Sequence, residues 1–397
     1  MGKPKIRFKG YEDDWEQRKF GEIVEKYEDL VETPTEGYTR LGIRSHAKGT
    51  FHSFVEKGKE LETAKMFRVA ADKFIVNITF GWEHAVAITD ENDAGKLVSH
   101  RFPQYSFNAG MVPKFFRYLI LDENFKHHLE LSSPGGAGRN RVLKLNDMLE
   151  YKMNFPSEVE QGKIAAYFDH LDHLITLHQR KCEETKSLKK YMLQKMFPEN
   201  GKCVPEIRFS GFSDAWEQRK LGEMIKEYKE TVDSDCILPV LTSSKTEGVI
   251  LQEEHFGRKQ QHDITGYNIL PRNYCTYRNR SDGVDFTFNI NKCCDKGIIS
   301  KFYPVFSGNN SDVFFISLLL NNSDEIVQEI AYTCTGTGQK VLSFLDLQKM
   351  KIKVPNFEEQ KKIAAYFDHL DHLITLHQHK CDELQKLKKF MLQNMFV

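Results

Sequence analysis

The sequence IAAYFDHLDHLITLHQ at residues 164–179 returns without a single change at residues 363–378. The identity extends outward on both sides, because residues 155–197 and 354–396 match at 31 of 43 positions. A repeat of about 200 residues is far longer than the 20–50 residues of solenoid repeats. The chain is therefore a duplication of a large unit.

A second, shorter block is repeated as well, since residues 4–23 match residues 205–224 at 13 of 20 positions. The segments between the repeated blocks, 24–154 and 225–353, have nearly equal lengths but little evident identity. Equal lengths with unlike sequences predict one fold that carries two different recognition surfaces.

Each long block predicts one long helix. Neither Gly nor Pro occurs between Lys163 and Phe197, or between Lys362 and Val397. About 35 residues at ~1.5 Å each give a rod of about 50 Å. Its apolar residues recur at alternating steps of four and three, the pattern of a coiled coil. We expect the two copies to pair antiparallel along a seam made of Ile164, Phe168, Leu171, Ile175, Ile363, Phe367, Leu370 and Ile374.

The predicted fold class is α+β, with two mixed α/β domains separated by the helix pair and related by a pseudo-twofold duplication. Strand-like runs occur at residues 73–80 and 312–318. The predicted divisions are a first domain at 1–155, a first helix at 156–197, a linker at 198–206, a second domain at 207–354 and a second helix at 355–397.

Composition limits the classes of protein. The 397 residues include 56 basic and 56 acidic side chains, so only a local basic surface could favour nucleic acid. No apolar stretch approaches the ~18 residues of a membrane-spanning helix, and the beginning of the sequence lacks the apolar core of a signal peptide. A cytoplasmic protein with reduced cysteines is expected.

No catalytic residue and no metal site is predicted. The sequence has no nucleophile elbow, kinase motif set, Walker loop or methyltransferase cofactor motif. The glycine clusters at 133–138 and 335–339 lack phosphate-loop spacing, and both a DNA phosphate contact and a plain turn remain open for them. His170 and His173 stand three residues apart without a third ligand fixed by spacing, which favours a helix surface over a metal site.

Three basic stretches contain no acidic residue, at 38–49, 135–144 and 268–280. Arginine can pair with guanine edges and amides with adenine, while lysine contacts the phosphate backbone. A solvated basic loop is the alternative for any one stretch. The predicted DNA-binding residues are Arg40, Arg44, Lys48, Arg139, Arg141, Lys245, Arg272, Tyr274, Tyr277, Arg278, Asn279, Arg280, Gln339 and Lys340.

The order of these blocks resembles the specificity subunit of type I restriction–modification systems. The resemblance rests on WEQRKLGE at 216–223 with its close copy at 15–22, and on the Pro and Glu-Gln residues that precede each long helix at 156–164 and 355–363. It covers essentially the whole chain, and the duplicated order is more specific than any single motif.

The resemblance implies two target-recognition domains that each read one half of a split sequence in double-stranded DNA, with the helices setting the spacing. It also implies adenine methyltransferase subunits, two in number, and ATP-dependent translocating nuclease subunits as partners. S-adenosylmethionine, ATP and Mg would then belong to those partners, with no cofactor on this chain. The alternatives are a coiled-coil scaffold without DNA readout, and a nuclease or methyltransferase with its own catalytic motifs, which the sequence lacks.

Overall fold

The computed structural model describes residues 3–59, 65–135, 141–199, 201–258, 263–336 and 338–396. Helices and strands are mixed throughout, so the predicted fold class is confirmed. The helices of the described residues are α1 (Phe20–Ile23), α2 (Pro113–Leu119), α3 (Glu123–Leu131), α4 (Leu145–Leu149), α5 (Glu158–Lys195), α6 (Gln252–Phe256), α7 (Val313–Asn322), α8 (Asp324–Thr333), α9 (Phe344–Lys349) and α10 (Phe357–Met395).

The chain forms two compact units, one of Met1–His178 with His379–Val397 and one of Gln179–Gln378. The first unit thus contains the first half of α5 and the later part of α10, and the second unit contains the remaining parts. The predicted division had treated each long helix as a separate segment, whereas each helix here contributes to both units. Among the described residues, neither long helix has an apolar run sufficient to cross a membrane.

The first unit has two main sheets. One has the strand order β2-β10-β7-β8 and is antiparallel, and the other has the order β3-β6-β9-β4-β5. A separate pair, β1 with β11, is antiparallel. The strands are β1 (Glu16–Lys19), β2 (Val24–Tyr27), β3 (Leu30–Glu32), β4 (Tyr38–Ile43), β5 (Thr50–Val55), β6 (Lys65–Arg68), β7 (Lys73–Val76), β8 (Val86–Ile88), β9 (Leu97–Val98), β10 (Gln104–Phe107) and β11 (Lys152–Phe155).

The second unit repeats this plan. Its four-stranded sheet has the order β13-β21-β17-β19, and the pairs β14–β15, β16–β20 and β12–β23 correspond to pairs of the first unit. The strands are β12 (Glu217–Lys220), β13 (Ile225–Tyr228), β14 (Leu241–Ser244), β15 (Gly248–Leu251), β16 (Asn268–Pro271), β17 (Cys275–Tyr277), β18 (Arg280–Ser281), β19 (Phe288–Ile290), β20 (Lys296–Ile299), β21 (Val305–Gly308), β22 (Lys340–Val341) and β23 (Lys351–Val354). Two bodies with little sequence identity therefore share the order of the four-stranded sheet and the corresponding strand pairs, although the first unit joins five strands in its other sheet and the second adds the pair β18–β22.

One predicted strand is wrong. The apolar run at 312–318 forms α7, because the side chain of Asp312 accepts hydrogen bonds from the backbone N–H groups of Phe314 and Phe315 and caps the helix. Six consecutive residues, 315–320, are buried, so the run lacks the alternation that distinguishes a strand or the one-sided stripe that distinguishes a surface helix. The other predicted strand is present as β7, which ends at Val76.

The seam residues lie in the cores of the two units. Seven of the eight are buried, and Ile374 is half-buried. Ile164 and Phe168 share their core with Trp15 and Phe115 of the first domain as well as with Met395 of α10. The early part of each stripe therefore packs against its own domain, in addition to the other helix.

Within each unit the two helix segments run antiparallel. In the first unit, the rings of Phe168 and Phe396 are 5.8 Å apart, and Asp172 forms an ion pair with Lys388. In the second unit, the rings of Phe197 and Phe367 are 6.1 Å apart, and Lys189 pairs with Asp371. In both units, contact positions with higher residue numbers on α5 meet positions with lower residue numbers on α10.

The repeated blocks meet in a structure that we call the joint. In the first unit, Arg7 donates from Nε and Nη2 to the two carboxylate oxygens of Glu160, over 2.7 and 2.8 Å. Gln161 accepts a hydrogen bond from the Val112 backbone N–H and donates one to the carbonyl of Pro156. The backbone N–H of Ile6 donates to the carbonyl of Asn394 near the end of α10 over 2.9 Å.

The second unit builds the same joint. Arg208 donates to both oxygens of Glu359 over 2.6 and 2.7 Å, and Gln360 accepts from the backbone N–H of Asp312. The backbone N–H of Ile207 donates to the carbonyl of Lys195 at the end of α5. The Glu-Gln pair quoted above therefore fixes each domain to the start of a long helix.

Candidate nucleic-acid interface

The second domain brings several of the predicted DNA-binding residues together. Arg278, Arg280 and Lys245 line a groove of about 410 Å³, the second-domain groove. Gln339 donates to Asp282 on its edge over 3.4 Å, and Lys340 lies opposite Ser281 in the β18–β22 pair. The other residues of its lining are Ser243, Ser281, Asp282, Gly283, Asp285, Phe286, Thr287 and Tyr303. Residues from three distant parts of the sequence thus meet at one surface.

Charges of both signs lie in this groove. Lys245 forms an ion pair with Asp285, which also accepts a hydrogen bond from Ser281 over 2.8 Å. The hydrogen bond from Lys245 holds the pKa of Asp285 below its usual value. The guanidinium of Arg280 lies 4.6 Å from the centre of the Phe302 ring. Arg278 and Arg280 are exposed, so their donors can reach a ligand.

Tyr277 is not a DNA contact, and that prediction is corrected here. Its side chain is completely buried, its ring packs 4.9 Å from that of Phe288, and its hydroxyl donates to the carbonyl of Leu342 over 3.1 Å. Burial raises the pKa of this tyrosine. It is a core residue on β17, with the exposed Arg278 next to it in sequence.

Three other candidates in this domain lie outside the groove lining. Arg272 is exposed and donates to Asp295 over 2.7 Å. Tyr274 is half-buried with its ring 5.1 Å from that of Tyr228. Asn279 bonds through its backbone to Phe302 and Leu342, and its Oδ1 is buried without a hydrogen-bond partner. These contacts are structural, and the role of these residues in DNA binding stays a prediction.

The first domain has a larger groove of about 810 Å³, the first-domain groove. Of the predicted residues that the structure describes, only Arg40 lines it. The lining consists of Arg40, Leu41, Gly42, Ile43, Ser45, Phe51, Asn77, Thr79, Phe80, Glu83, Ser99, His100, Arg101 and Phe102. Basic, acidic and aromatic side chains are therefore all available at this surface.

The remaining candidates of the first domain surround other features. Arg44 donates to the carbonyl of Thr50, and its guanidinium lies 5.4 Å from the centre of the Phe51 ring. Lys48 is exposed in the turn between β4 and β5. Arg141 lies over the Trp82 ring at 5.5 Å and pairs with Glu130 at 3.8 Å. Arg139 lies outside the described residues.

Sequence reasoning missed His100, Arg101 and Glu83, which line the first-domain groove. His100 and Arg101 stand together on the loop between β9 and β10, in a stretch too short to register as a basic run. Glu83 is acidic, and a basic stretch without acidic residues does not indicate it. The better signal would have been loops at equivalent places in both halves of the duplication.

The aspartates of the repeated helix motif are engaged with their own units. The hydroxyl of Tyr118 donates to Asp169 over 2.7 Å and to Asp172 over 3.0 Å. In the second unit, Asp368 pairs with Lys292. No group of three or more His, Cys, Asp or Glu side chains that could hold a metal ion occurs in the part of the chain that the structure describes.

Each unit also exposes one apolar pair on its long-helix segment. Leu188 and Tyr191 are 44% and 49% exposed on α5, and Leu387 and Phe390 are 40% and 53% exposed on α10. Both pairs occupy the same places of the repeated block, 199 residues apart. Each long helix therefore exposes a leucine and an aromatic ring at the same repeated positions.

Known proteins with the same organisation are found by sequence and by structure. Residues 214–386 match the family of the type I restriction modification DNA specificity domain. A putative type I restriction enzyme MjaX specificity subunit from Methanocaldococcus jannaschii is 24% identical over an alignment of 406 positions, which covers 95% of this chain and 91% of that protein. The type I restriction enzyme MjaVIII specificity subunit of the same organism is 24% identical over an alignment of 293 positions, which covers 68% of this chain and 67% of that protein.

A solved structure has the same fold over its full length. The type I restriction-modification S subunit from M. genitalium superposes with a TM-score of 0.58, at 13% identity, over 100% of this chain and 99% of that one. Fold, block order and sequence relatives agree with one another. Residues 214–386 thus match the type I restriction modification DNA specificity domain, and the chain as a whole is similar in sequence and in fold to specificity subunits of type I restriction–modification systems.

Proposed function

We propose that this chain is the sequence-specific DNA recognition subunit of a type I restriction–modification complex. The observation that carries the proposal is that two domains share a four-stranded sheet of the same strand order while different side chains line their grooves. Such a pair of domains is suited to read two different half-sites of one split DNA target. The long helices would set the distance between the half-sites.

Catalysis would rest with partner subunits. Adenine methyltransferase subunits would bring S-adenosylmethionine, and translocating nuclease subunits would bring ATP and Mg, while this chain binds no cofactor. The complex would act in the cytoplasm. On this division of labour the present chain supplies affinity and specificity for double-stranded DNA.

The experiment that tests this function is a methylome. Modified adenines are sequenced in cells that carry this chain together with its methyltransferase partner. The expected result is a motif in two parts with a gap of fixed length. Methylation without sequence preference, or a continuous motif, would refute the proposal. A salt-dependent shift of duplex DNA by the complex separates a DNA reader from a coiled-coil scaffold.

We further propose two methyltransferase subunits per chain, docked at the exposed pairs Leu188–Tyr191 and Leu387–Phe390. A leucine and an aromatic ring at duplicated positions suit two copies of one partner. Replacing Leu188 and Tyr191 together by Ser should leave a complex with one partner copy in native mass spectrometry. Leu345→Ser, at a residue 69% exposed on α9, is the control and should keep both copies. Two copies retained in the double variant would place the docking surface elsewhere.

A further inference from the structure

The two grooves occupy equivalent places in the two domains. Each is bounded by a β-hairpin, by the loop after the inner strand β7 or β17, and by the loop before β10 or β21. The strands β10 and β21 begin 201 residues apart, and the same interval separates Phe102 from Tyr303, which line the two grooves. The duplication thus placed one concave surface in each domain.

The side chains of the two grooves differ in kind. The second-domain groove carries charges of both signs, with Arg278, Arg280 and Lys245 alongside Asp282 and Asp285. The first-domain groove instead carries three phenylalanines, Phe51, Phe80 and Phe102, beside Arg40 and Arg101. Equivalent position with different chemistry is what two readers of different sequences require, since charged groups recognise base edges and apolar groups recognise the thymine methyl.

The hairpin of the first-domain groove is held in one conformation. The backbone N–H groups of His46 and Ala47 donate to the carbonyls of Glu83 and His84, each over 2.8 Å. All of His46, Ala47 and His84 have positive φ, between 49° and 61°. Left-handed residues other than glycine carry strain and cluster at functional sites. The turn is therefore fixed against the loop that forms the opposite side of the groove.

Phe51 is the aromatic residue that this arrangement presents. Its side chain is 40% exposed, although the ring lies close to the backbone of Gly42, where an added Cβ would come within 2.3 Å of it. The guanidinium of Arg44 lies 5.4 Å from the ring centre. An exposed ring at the edge of a groove can make an apolar contact with a ligand, and the neighbouring arginines favour a ligand that carries many negative charges.

We propose, on the basis of the function proposed above, that the first-domain groove contacts base edges of double-stranded DNA and that Phe51 contacts the methyl group of a thymine in its half-site. Arg40 and Arg101 hold the duplex in the groove. Phe51 is then a specificity-determining residue, because its contact exists only where thymine is present.

The test removes the methyl group from the DNA and the ring from the protein separately. Each thymine of the methylome-defined target is replaced in turn by uracil, which differs only in lacking the methyl. Dissociation constants are measured for the complex of the full chain with its methyltransferase subunits. One uracil should weaken wild-type binding about fourfold, the equivalent of one buried methyl group. Phe51→Ala should bind the thymine target more weakly than the wild type does. The variant should have the same dissociation constant for the target with thymine and for the target with that uracil.

Phe54→Ala is the matched control. Phe54 lies on the same strand β5, is 67% exposed and is not part of the groove lining. This variant should keep the wild-type sensitivity to uracil, and Phe51→Leu should keep part of it. If no uracil affects the wild type, or if Phe51→Ala remains as sensitive as Phe54→Ala, the assignment is overturned. A wild-type complex without sequence preference would instead refute the proposed function.

Discussion

The ion pair of the first joint gives a sharp prediction about stability. Glu160 is completely buried, and the side chain of Arg7 is only 13% exposed. Two hydrogen bonds join them, and the bond to Glu160 raises the pKa of Arg7. Glu160→Gln keeps the size of the side chain but removes its charge, so the largely buried guanidinium loses the carboxylate that is hydrogen-bonded to it. We expect this single change to destabilise the first unit strongly.

The magnitude follows from the burial of the pair. Removing one partner of a buried ion pair costs about 3–5 kcal/mol. For a unit of about 200 residues, 1 kcal/mol corresponds to roughly 2–4 °C in melting temperature. Glu160→Gln should therefore lower the melting transition of the first unit by roughly 6–20 °C. The double variant Arg7→Met with Glu160→Met should be milder, because it leaves no buried charge unpaired.

The assay is differential scanning calorimetry of the full chain. Glu158→Gln is the control, because Glu158 is exposed in the same first turn of α5 and loses only its interaction with the helix dipole, about 0.3–1 kcal/mol. Glu359→Gln should reproduce the large effect in the second unit. The reasoning fails if Glu160→Gln and Glu158→Gln melt within 2 °C of each other, about the shift of 1 kcal/mol.

Three further predictions concern specificity, pH and spacing. If the arginine contacts guanine, Arg278→Ala or Arg280→Ala should cost ~1–3 kcal/mol of binding free energy and relax the base preference at one position of one half-site, as competition binding would measure. A loss of affinity that is uniform across sequences, with a weaker dependence on salt, would indicate a phosphate contact instead. Burial lowers the pKa of His84, whose Nε2 donates to the Ile120 carbonyl over 2.8 Å. The imidazole of His84 is therefore protonated at a higher pH in the unfolded chain than in the folded one, so the stability of the first unit should fall as the pH drops below about 6.5. His84→Gln should show a smaller fall in melting temperature over the same pH range. An equal pH dependence of the two proteins in melting experiments would contradict this prediction. Inserting four residues between Gln179 and Lys186 adds about 6 Å of helix and should lengthen the preferred DNA spacer by one or two base pairs. Methylation of a panel of DNAs that differ only in spacer length would measure this. An unchanged spacer preference in a folded variant would show that the helices do not set the spacing.

The repeated blocks made the architecture predictable, because duplication is visible without any contact information. The helices were predicted at 156–197 and 355–397, and they extend over Glu158–Lys195 and Phe357–Met395. The spacing of apolar residues does not show what each apolar stripe of a long helix packs against. A step of four and three residues indicates that a face is buried, but Ile164 packs against a domain core as well as a helix.

The candidate site was predictable only in part, since side-chain direction decides it. Arg278 and Tyr277 are neighbours in one aromatic and basic stretch, yet one is exposed and the other is a core residue. The pairing of Arg7 with Glu160 joins residues 153 positions apart, and no local signal marks it. His100 and Arg101 enter the first-domain groove through the tertiary fold alone.

Because the first unit is built from two distant segments of the chain, it cannot be completed early in translation. Its core contains Cys381, Leu384 and Met395 beside Ile164 and Phe168, so it cannot close until residues near 395 have been made. At about 5–20 residues per second, the ~220 residues that follow His178 take roughly 10–40 s to synthesise. The second unit uses a continuous stretch, Gln179–Gln378, and is available to fold within that interval. The domain that is translated first is thus completed after the one that follows it, and the apolar side chains of Phe168 and Trp15 lack the residues of α10 that cover them in the meantime.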